Sequence, residues 1–204
     1  MDWSVFHALN GLLRGDDGAQ DATVAFNATA IFALVAVAAA TWLFARPGGS
    51  LRPKLAALSA GLAAVIGLAL NSVLGQLWYH PRPFATHPRQ TLQLVHHAAD
   101  NSFPSDHATV AFAVAFAVLA FHRRLGLLLV VGAVLVGLAR ILIGVHYPVD
   151  VAASALVGLA SAALVTTAGR RYVEWAARQA SRLSDPLVAA ATRRLAAARR
   201  SARR

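Results

Sequence analysis

Apolar residues form five long runs along the chain, separated by short polar segments. A bilayer core requires about 20 apolar residues in an α-helix, each rising about 1.5 Å. Five stretches come near that length: residues 22–45, 55–77, 106–121, 125–143 and 149–168. The third stretch is the shortest of the five. The pattern therefore predicts an all-α fold, a polytopic membrane helix bundle of about five transmembrane spans.

The first thirteen residues follow a different pattern. Large apolar side chains recur near helical spacing at Trp3, Phe6, Leu9, Leu12 and Leu13. A run this short cannot span a bilayer but can bury one face in it. We therefore expect an N-terminal interfacial helix.

The composition agrees with a membrane protein and excludes some other classes. Hydrophobic residues make up 57% of the 204 and charged residues 14%, whereas soluble domains carry about 25% charged residues. In a soluble protein, the formal net charge of +10 would indicate a nucleic-acid partner. With five apolar spans it instead marks one side of a membrane, so no nucleic-acid partner is expected. The sequence has no cysteine, which excludes disulfides and thiolate metal sites.

Basic residues are distributed unequally over the two sides of a five-span arrangement. Fifteen of the 19 fall on the side that includes the C-terminus, and they are Arg46, Arg52, Lys54, Arg123, Arg124, Arg170, Arg171, Arg178, Arg182, Arg193, Arg194, Arg199, Arg200, Arg203 and Arg204. The excess predicts a multi-pass protein of the cell membrane with its C-terminus in the cytoplasm. We divide the chain into a membrane domain, 1–170, and a basic cytoplasmic tail, 171–204, which is expected to contact anionic lipid.

Three polar clusters remain at the ends of apolar runs, and this topology brings all three to the outer face. In chain order their members are Arg82, then Ser105 and His107, then Arg140, His146 and Asp150. Ionisable groups at membrane depth are costly and usually functional. We therefore interpret the three clusters as one site.

The helix starts and arginines in these clusters favour a phosphate ligand. Pro104 fixes the entry to the third span and Ser105 is a natural N-cap, so the positive end of that helix points outward. Pro148 should occupy the first position of the fifth span, which places His146 just before the helix. Two planar guanidinium groups match the oxygens of a phosphate.

Histidine and aspartate supply the chemistry that a phosphate site can use. An imidazole held by a carboxylate has one tautomer fixed and its other nitrogen free to attack, and Asp150 can reach back to His146. A second histidine can protonate a leaving oxygen. Because the arginines and helix amides neutralise the developing charge, we expect neither a metal nor another cofactor.

Other polar residues carry less specific signals. The segment 78–105 contains four further histidines, His80, His87, His96 and His97. Their spacing does not compel a metal site, and we interpret them as solvated or facing lipid headgroups. Asn27 and Asn71 lie within apolar spans, where they are expected to form interhelical hydrogen bonds.

The order and spacing of these motifs resemble the membrane phosphatidic acid phosphatase type 2 superfamily. Its pattern joins a lysine, six residues and Arg-Pro to Pro-Ser-Gly-His, and then to Ser-Arg, five residues, His, three residues and Asp. Arg82-Pro83 match the first part, residues 104–107 (PSDH) the second, and Arg140, His146 and Asp150 the third. The resemblance covers about residues 55–167. "SFPSDHA", "GVHYPVDV" and "FHALNGL" resemble one branch, the bacitracin-resistance type of undecaprenyl-diphosphate phosphatase.

The resemblance implies a role for each matching residue. His146 resembles the nucleophile that forms a phosphohistidine, Asp150 its orienting partner, and His107 the general acid that later activates water. The residues that resemble the phosphate-binding group are Arg82, Ser105, Asp106 and Arg140.

Three positions depart from the family pattern. Gly75 stands in place of the first-motif lysine, Asp106 in place of glycine, and Ala139 in place of serine. The first departure removes one cation from the site, and the second adds a negative charge near the phosphate.

The expected function is therefore a lipid phosphatase that converts a polyprenyl diphosphate, undecaprenyl diphosphate, to the monophosphate. The resemblance connects this reaction with peptidoglycan and cell-wall biosynthesis and with bacitracin resistance. Phosphatidate and phosphatidylglycerol phosphate are the alternative substrates. A lipid-binding or transport protein with a degenerate site is the alternative from another class, although the chain keeps both motif histidines.

Overall fold

The fold is a bundle of α-helices, described by a computed structural model for the backbone of residues 2–201 and the side chains of residues 2–193. This part of the chain contains eight helices: α1 Asp2–Gly11, α2 Asp17–Leu43, α3 Arg52–Leu77, α4 Pro83–Thr86, α5 Asp106–Leu119, α6 Arg123–Leu142, α7 Pro148–Thr166 and α8 Arg170–Ser201. The all-α prediction is confirmed.

Four of these helices, α2, α3, α6 and α7, are long and apolar enough to cross a membrane. The third predicted span, residues 106–121, corresponds to α5, which has only 14 residues and therefore a length of about 21 Å at 1.5 Å per residue. The sequence predicts where these helices start, since Ser105 is the N-cap of α5 and Pro148 is the first residue of α7.

The short helix α5 lies at the centre of the bundle, packed against α3, α6 and α7. Its Ala108, Ala111 and Ala115 are completely buried. Small residues let membrane helices approach closely, and α7 shows the same effect at Gly158. A Cβ at Gly158 would lie 2.8 Å from the backbone nitrogen of Ala113. This close packing fixes the start of α5 relative to the start of α7.

The N-terminal helix α1 packs on the end of the bundle. Phe6 is fully buried against Ile141 and Tyr147. The Asn10 side chain donates to the carbonyls of Leu92 and Leu142, each at 2.9 Å, and accepts from the Leu92 amide at 2.8 Å. The predicted short helix is present, and it also joins residues 78–105 to α6.

The predicted tail begins with helix α8, which continues past Pro186. Val173 and Ala177 belong to the hydrophobic core. The buried ammonium of Lys54 on α3 pairs with Asp185 on α8. That hydrogen bond holds the pKa of Asp185 below its usual range. The division into 1–170 and 171–204 stays a prediction, although these contacts attach the tail to α3.

Candidate active site

His146 lies in the short connection between α6 and α7 and is 3% exposed. Its Nε2 is 3.3 Å from Arg82 Nη1 and 3.4 Å from Arg140 Nη2. A guanidinium can only donate a hydrogen bond, so Nε2 carries the lone pair and the ring proton is on Nδ1. A nitrogen that can act as a nucleophile therefore lies between two cations.

Arg82 is held in this position by residues on several sides. Its Nε donates to Asp100 Oδ1 at 2.7 Å, and its Nη1 donates to the Val145 carbonyl at 2.9 Å. Partial burial acts to raise the pKa of Asp100, but the hydrogen bond and charge of Arg82 outweigh it and hold that pKa below its usual range. Asp100 therefore stays ionised while it orients the guanidinium.

Arg140 reaches the same point from the last turn of α6. Its Nη1 donates to Asn27 Oδ1 on α2 at 3.0 Å. Its buried Nε has no hydrogen-bond partner among the described residues. Arg140 therefore keeps a donor for a ligand, and Asn27 forms the interhelical hydrogen bond expected from the sequence.

Asp150 is fully buried in the first turn of α7, where each of its carboxylate oxygens has a separate neighbour. Oδ2 accepts from the Tyr147 amide at 2.8 Å and lies 3.6 Å from His146 Nδ1, which is long for a hydrogen bond. Oδ1 lies 2.8 Å from Nδ1 of His80. The structure thus brings Asp150 next to His146, and it adds His80 as a second imidazole neighbour.

The interpretation of His80 as a solvated side chain is wrong, because its ring contacts the buried Asp150. The sequence carries a signal for the side to which the His80 ring points, although none for its contact with Asp150. His80 precedes Arg82 by two residues around a proline, and in an extended segment residues i and i+2 point to the same side. Pro81 forms an antiparallel bridge with Asn101, which confirms an extended segment at this point. A second of the four histidines in residues 78–105, His87, is stacked on Trp3 with ring centroids 3.7 Å apart.

Ser105 lies at the N-terminus of α5, close to the start of α7. Its amide donates to Ser154 Oγ at 2.9 Å, and Ser154 in turn donates to the carbonyl of Asp150 at 2.7 Å. The buried Ser105 hydroxyl has no hydrogen-bond partner among the described residues. Its position and spare donor suit a phosphate oxygen, and this role stays a prediction.

Asp106 and His107 lie at the start of α5, beside an apolar cavity. They line a cavity of about 590 Å³ whose other walls are apolar and come from α2, α3 and α5: Ile31, Phe32, Val35, Ala36, Leu68 and Val110. Asn71 donates to Asp106 Oδ1 at 2.8 Å and accepts from the Thr109 hydroxyl at 3.1 Å. Asn71 thus forms its expected interhelical bonds, and Asp106 is turned toward α3.

The structure therefore divides the predicted site into two parts. Arg82 and Arg140 both contact His146, and Asp150 lies 3.6 Å from the other ring nitrogen of His146. His107 is half-buried on the cavity side and makes no hydrogen bond within the described part of the chain. The polar, cationic group around His146 therefore lies beside the apolar cavity.

The surroundings of Gly75, which stands in place of the motif lysine, leave little room for a side chain. Asn101 Nδ2 donates to the carbonyls of Gly75 and Trp78 at 2.8 and 2.9 Å. A Cβ at Gly75 would lie 3.3 Å from the carbonyl oxygen of Phe103, which is a crowded contact. The last turn of α3 is therefore covered by neutral backbone and amide groups.

A membrane helix bundle with a cationic, histidine-containing site is typical of a membrane phosphatase. Residues 56–173 match the PAP2 superfamily, and the chain belongs to this family of membrane phosphatases. This match confirms the resemblance found in the motifs.

Two proteins of similar sequence and one of similar structure are compared with this chain. Undecaprenyl-diphosphatase BcrC of Bacillus subtilis (strain 168) is 37% identical over 159 residues, which are 78% of this chain and 79% of that protein. Bacitracin transport permease protein BcrC of Bacillus licheniformis is 44% identical over 112 residues, 55% of each protein. The crystal structure of Aquifex aeolicus LpxE shares the fold, with a TM-score of 0.64 and 24% identity over 80% of this chain and 93% of that chain.

Proposed function

We propose that this membrane phosphatase hydrolyses undecaprenyl diphosphate or a closely similar polyprenyl diphosphate through a phosphohistidine on His146. The observation that carries the proposal is the position of His146 Nε2, 3.3 and 3.4 Å from donors of Arg82 and Arg140. A terminal phosphate bound by these guanidinium groups would have its phosphorus next to the nitrogen lone pair. The same donors would neutralise charge that develops on the phosphoryl oxygens.

The first step transfers the phosphoryl group to the protein. The His146 Nε2–phosphorus bond forms as the bond from phosphorus to the bridging oxygen breaks, and protonated His107 gives its proton to the departing lipid monophosphate. The proton on His146 Nδ1 faces Asp150 Oδ2 at 3.6 Å. Asp150 thereby stabilises the positive charge that the ring gains.

The second step releases phosphate. Neutral His107 takes a proton from water, whose oxygen bonds to phosphorus as the phosphorus–nitrogen bond breaks. His146 regains its lone pair and His107 its proton, so the cycle closes without a metal or other cofactor. Arg82, Ser105 and Arg140 bind the phosphoryl oxygens, and Asp106, held by Asn71, borders the phosphate site beside His107.

The lipid chain fits the apolar cavity next to His107. A hydrocarbon chain bound there would leave the bridging oxygen of the substrate near His107, the proposed proton donor. The B. subtilis relative is named an undecaprenyl-diphosphatase, which supports a polyprenyl diphosphate over phosphatidate or phosphatidylglycerol phosphate. The name of the B. licheniformis relative suggests transport, but a transporter would not require a nucleophilic nitrogen between two arginines.

We expect the purified protein to release phosphate from undecaprenyl diphosphate with a higher kcat/KM than from phosphatidate or phosphatidylglycerol phosphate. The three substrates are compared in one detergent with excess EDTA, because the proposal assigns charge neutralisation to arginines. The His146→Ala variant measures contaminating phosphatase. A preference for a glycerophospholipid would contradict the substrate proposal, and activity restored only by a divalent cation would contradict the metal-free mechanism.

We further propose that the site faces the outside of the cell membrane and the C-terminus lies in the cytoplasm, because 15 of 19 basic residues are on the C-terminal side. The chain has no native cysteine, so single cysteines report sidedness directly. Ala99→Cys, in the exposed loop near the site, should react with a membrane-impermeant maleimide in intact cells. Ser50→Cys, between α2 and α3, should react only after permeabilisation. The reverse pattern would invert the topology.

A further inference from the structure

His80 lies outside the family motifs but contacts the carboxylate that borders the candidate nucleophile. Its Nδ1 is 2.8 Å from Asp150 Oδ1, and its side chain is 23% exposed. Asp150 itself is completely buried. A buried carboxylate requires hydrogen-bond donors, and the imidazole of His80 is the side-chain group that approaches this carboxylate most closely within the described residues.

The two oxygens of Asp150 have different partners. Oδ1 faces His80, whereas Oδ2 accepts from the Tyr147 amide at 2.8 Å and faces His146 Nδ1 at 3.6 Å. Rotation of the carboxylate would break both short contacts together. The His80 contact therefore fixes which oxygen is turned toward His146.

His80 is itself held by its surroundings. Its backbone amide donates to Asn101 Oδ1 at 2.9 Å, and its ring packs on Tyr147 with centroids 4.8 Å apart. The Ser102 hydroxyl lies 3.4 Å from Nδ1. A donor fixed in this way orients its acceptor without a further loss of side-chain entropy on substrate binding.

We propose that His80 is a positioning residue for phosphoryl transfer, acting on His146 through the Asp150 carboxylate. The inference rests on the proposed roles of His146 and Asp150. His80 Nδ1–H donates to Oδ1 and keeps Oδ2 beside the Nδ1 proton of His146. The carboxylate is then in place when the His146 ring becomes positive on phosphorylation.

Two substitutions separate the donor from the rest of the ring. His80→Ala removes the donor, and kcat should fall about 10-fold, the lower end for a hydrogen bond to a charged group, with KM unchanged. His80→Asn places an amide nitrogen where Nδ1 was, and kcat should stay close to the wild-type value. His96→Ala, an exposed histidine in the same loop, is the matched control and should have no effect. Thermal melting in detergent checks that each variant is folded.

A double-mutant cycle tests whether His80 acts through Asp150. In an Asp150→Asn background, measured at high enzyme concentration, adding His80→Ala should change kcat by less than about two-fold, because the group it orients is already altered. Losses that multiply, or a raised KM with unchanged kcat in His80→Ala, would overturn the inference. So would an impaired His80→Asn variant that melts like the wild type.

The cycle also separates this inference from the proposed function. If Asp150→Asn is impaired and His80→Ala is not, the positioning role alone fails. If Asp150→Asn retains wild-type turnover, the role of Asp150 in the proposed mechanism fails, and the inference fails with it.

Discussion

His146→Ala is expected to lower kcat about 10⁵–10⁶-fold, the scale on which removal of a nucleophile abolishes covalent catalysis. The reason is the position of Nε2 between Arg82 and Arg140, where the variant leaves two cations but no atom to attack phosphorus. Phosphate release from undecaprenyl diphosphate measures the loss. Substrate binding should persist, because both guanidinium groups remain.

The loss should not depend on the leaving group. Nitrophenolate, the leaving group of nitrophenyl phosphate, departs without protonation, but the phosphoryl group still requires a nucleophile in the first step. We therefore expect His146→Ala to be inactive on both substrates. His96→Ala, which removes an exposed histidine, is the control for the general effect of such a change. Turnover of nitrophenyl phosphate by folded His146→Ala would contradict a covalent step at this residue.

His107→Ala should lower turnover of the lipid substrate about 10²–10⁴-fold, the usual contribution of general acid–base catalysis. His107 lines the apolar cavity rather than the arginine cluster, so its loss leaves the nucleophile in place. A good leaving group needs no proton, and nitrophenyl phosphate should therefore recover the phosphorylation step in this variant. Burst kinetics of nitrophenol release measure that step separately from hydrolysis.

Nitrophenol release by His107→Ala should occur in two phases. His107→Ala should release nitrophenol rapidly to about one equivalent and then slowly, because attack by water still lacks its base. Equal losses with the lipid and the nitrophenyl substrate in both phases would show that His107 is not the proton donor. Retention of full lipid turnover would exclude it from both steps.

The parts of this molecule that local physics determines could be predicted from the sequence. Apolar length identifies α2, α3, α6 and α7, and Ser105 and Pro148 mark the starts of α5 and α7. Helix capping and proline position depend only on nearby residues, so these helix starts, and the motif residues beside them, could be expected on one face of the bundle. The structure brings Arg82, Arg140 and His146 into contact.

Contacts made by residues 78–105 could not be predicted in the same way. The position of His80 depends on Asn101, whose side chain accepts from the His80 amide and donates to Gly75 and Trp78 at the end of α3. These hydrogen bonds join residues more than twenty positions apart, and no periodic pattern reports them. The ion pair of Lys54 and Asp185, which attaches α8 to α3, also joins residues far apart in the chain and could not be predicted from a periodic pattern.

The position of Asp106 is another consequence of tertiary contacts. Its sequence neighbours suggest a charge beside the phosphate, and Asn71 on α3 donates a hydrogen bond that orients this carboxylate. Asn71 is recognisable as a polar residue in an apolar span, but the spacing along the chain does not identify its partner. The effect of Asp106 on the substrate therefore follows from helix packing rather than from the motif.

Trapping of the phosphorylated protein tests the central claim most directly. The enzyme is mixed with undecaprenyl diphosphate carrying a labelled terminal phosphate and quenched in alkali within one turnover. The mechanism predicts that the label binds to the protein, that the bond is stable in base and lost in acid, and that it maps to His146. The label should accumulate in His107→Ala when this variant is given labelled nitrophenyl phosphate. It should be absent from His146→Ala. Full turnover with no bound label at any time, or label on another residue, would contradict it.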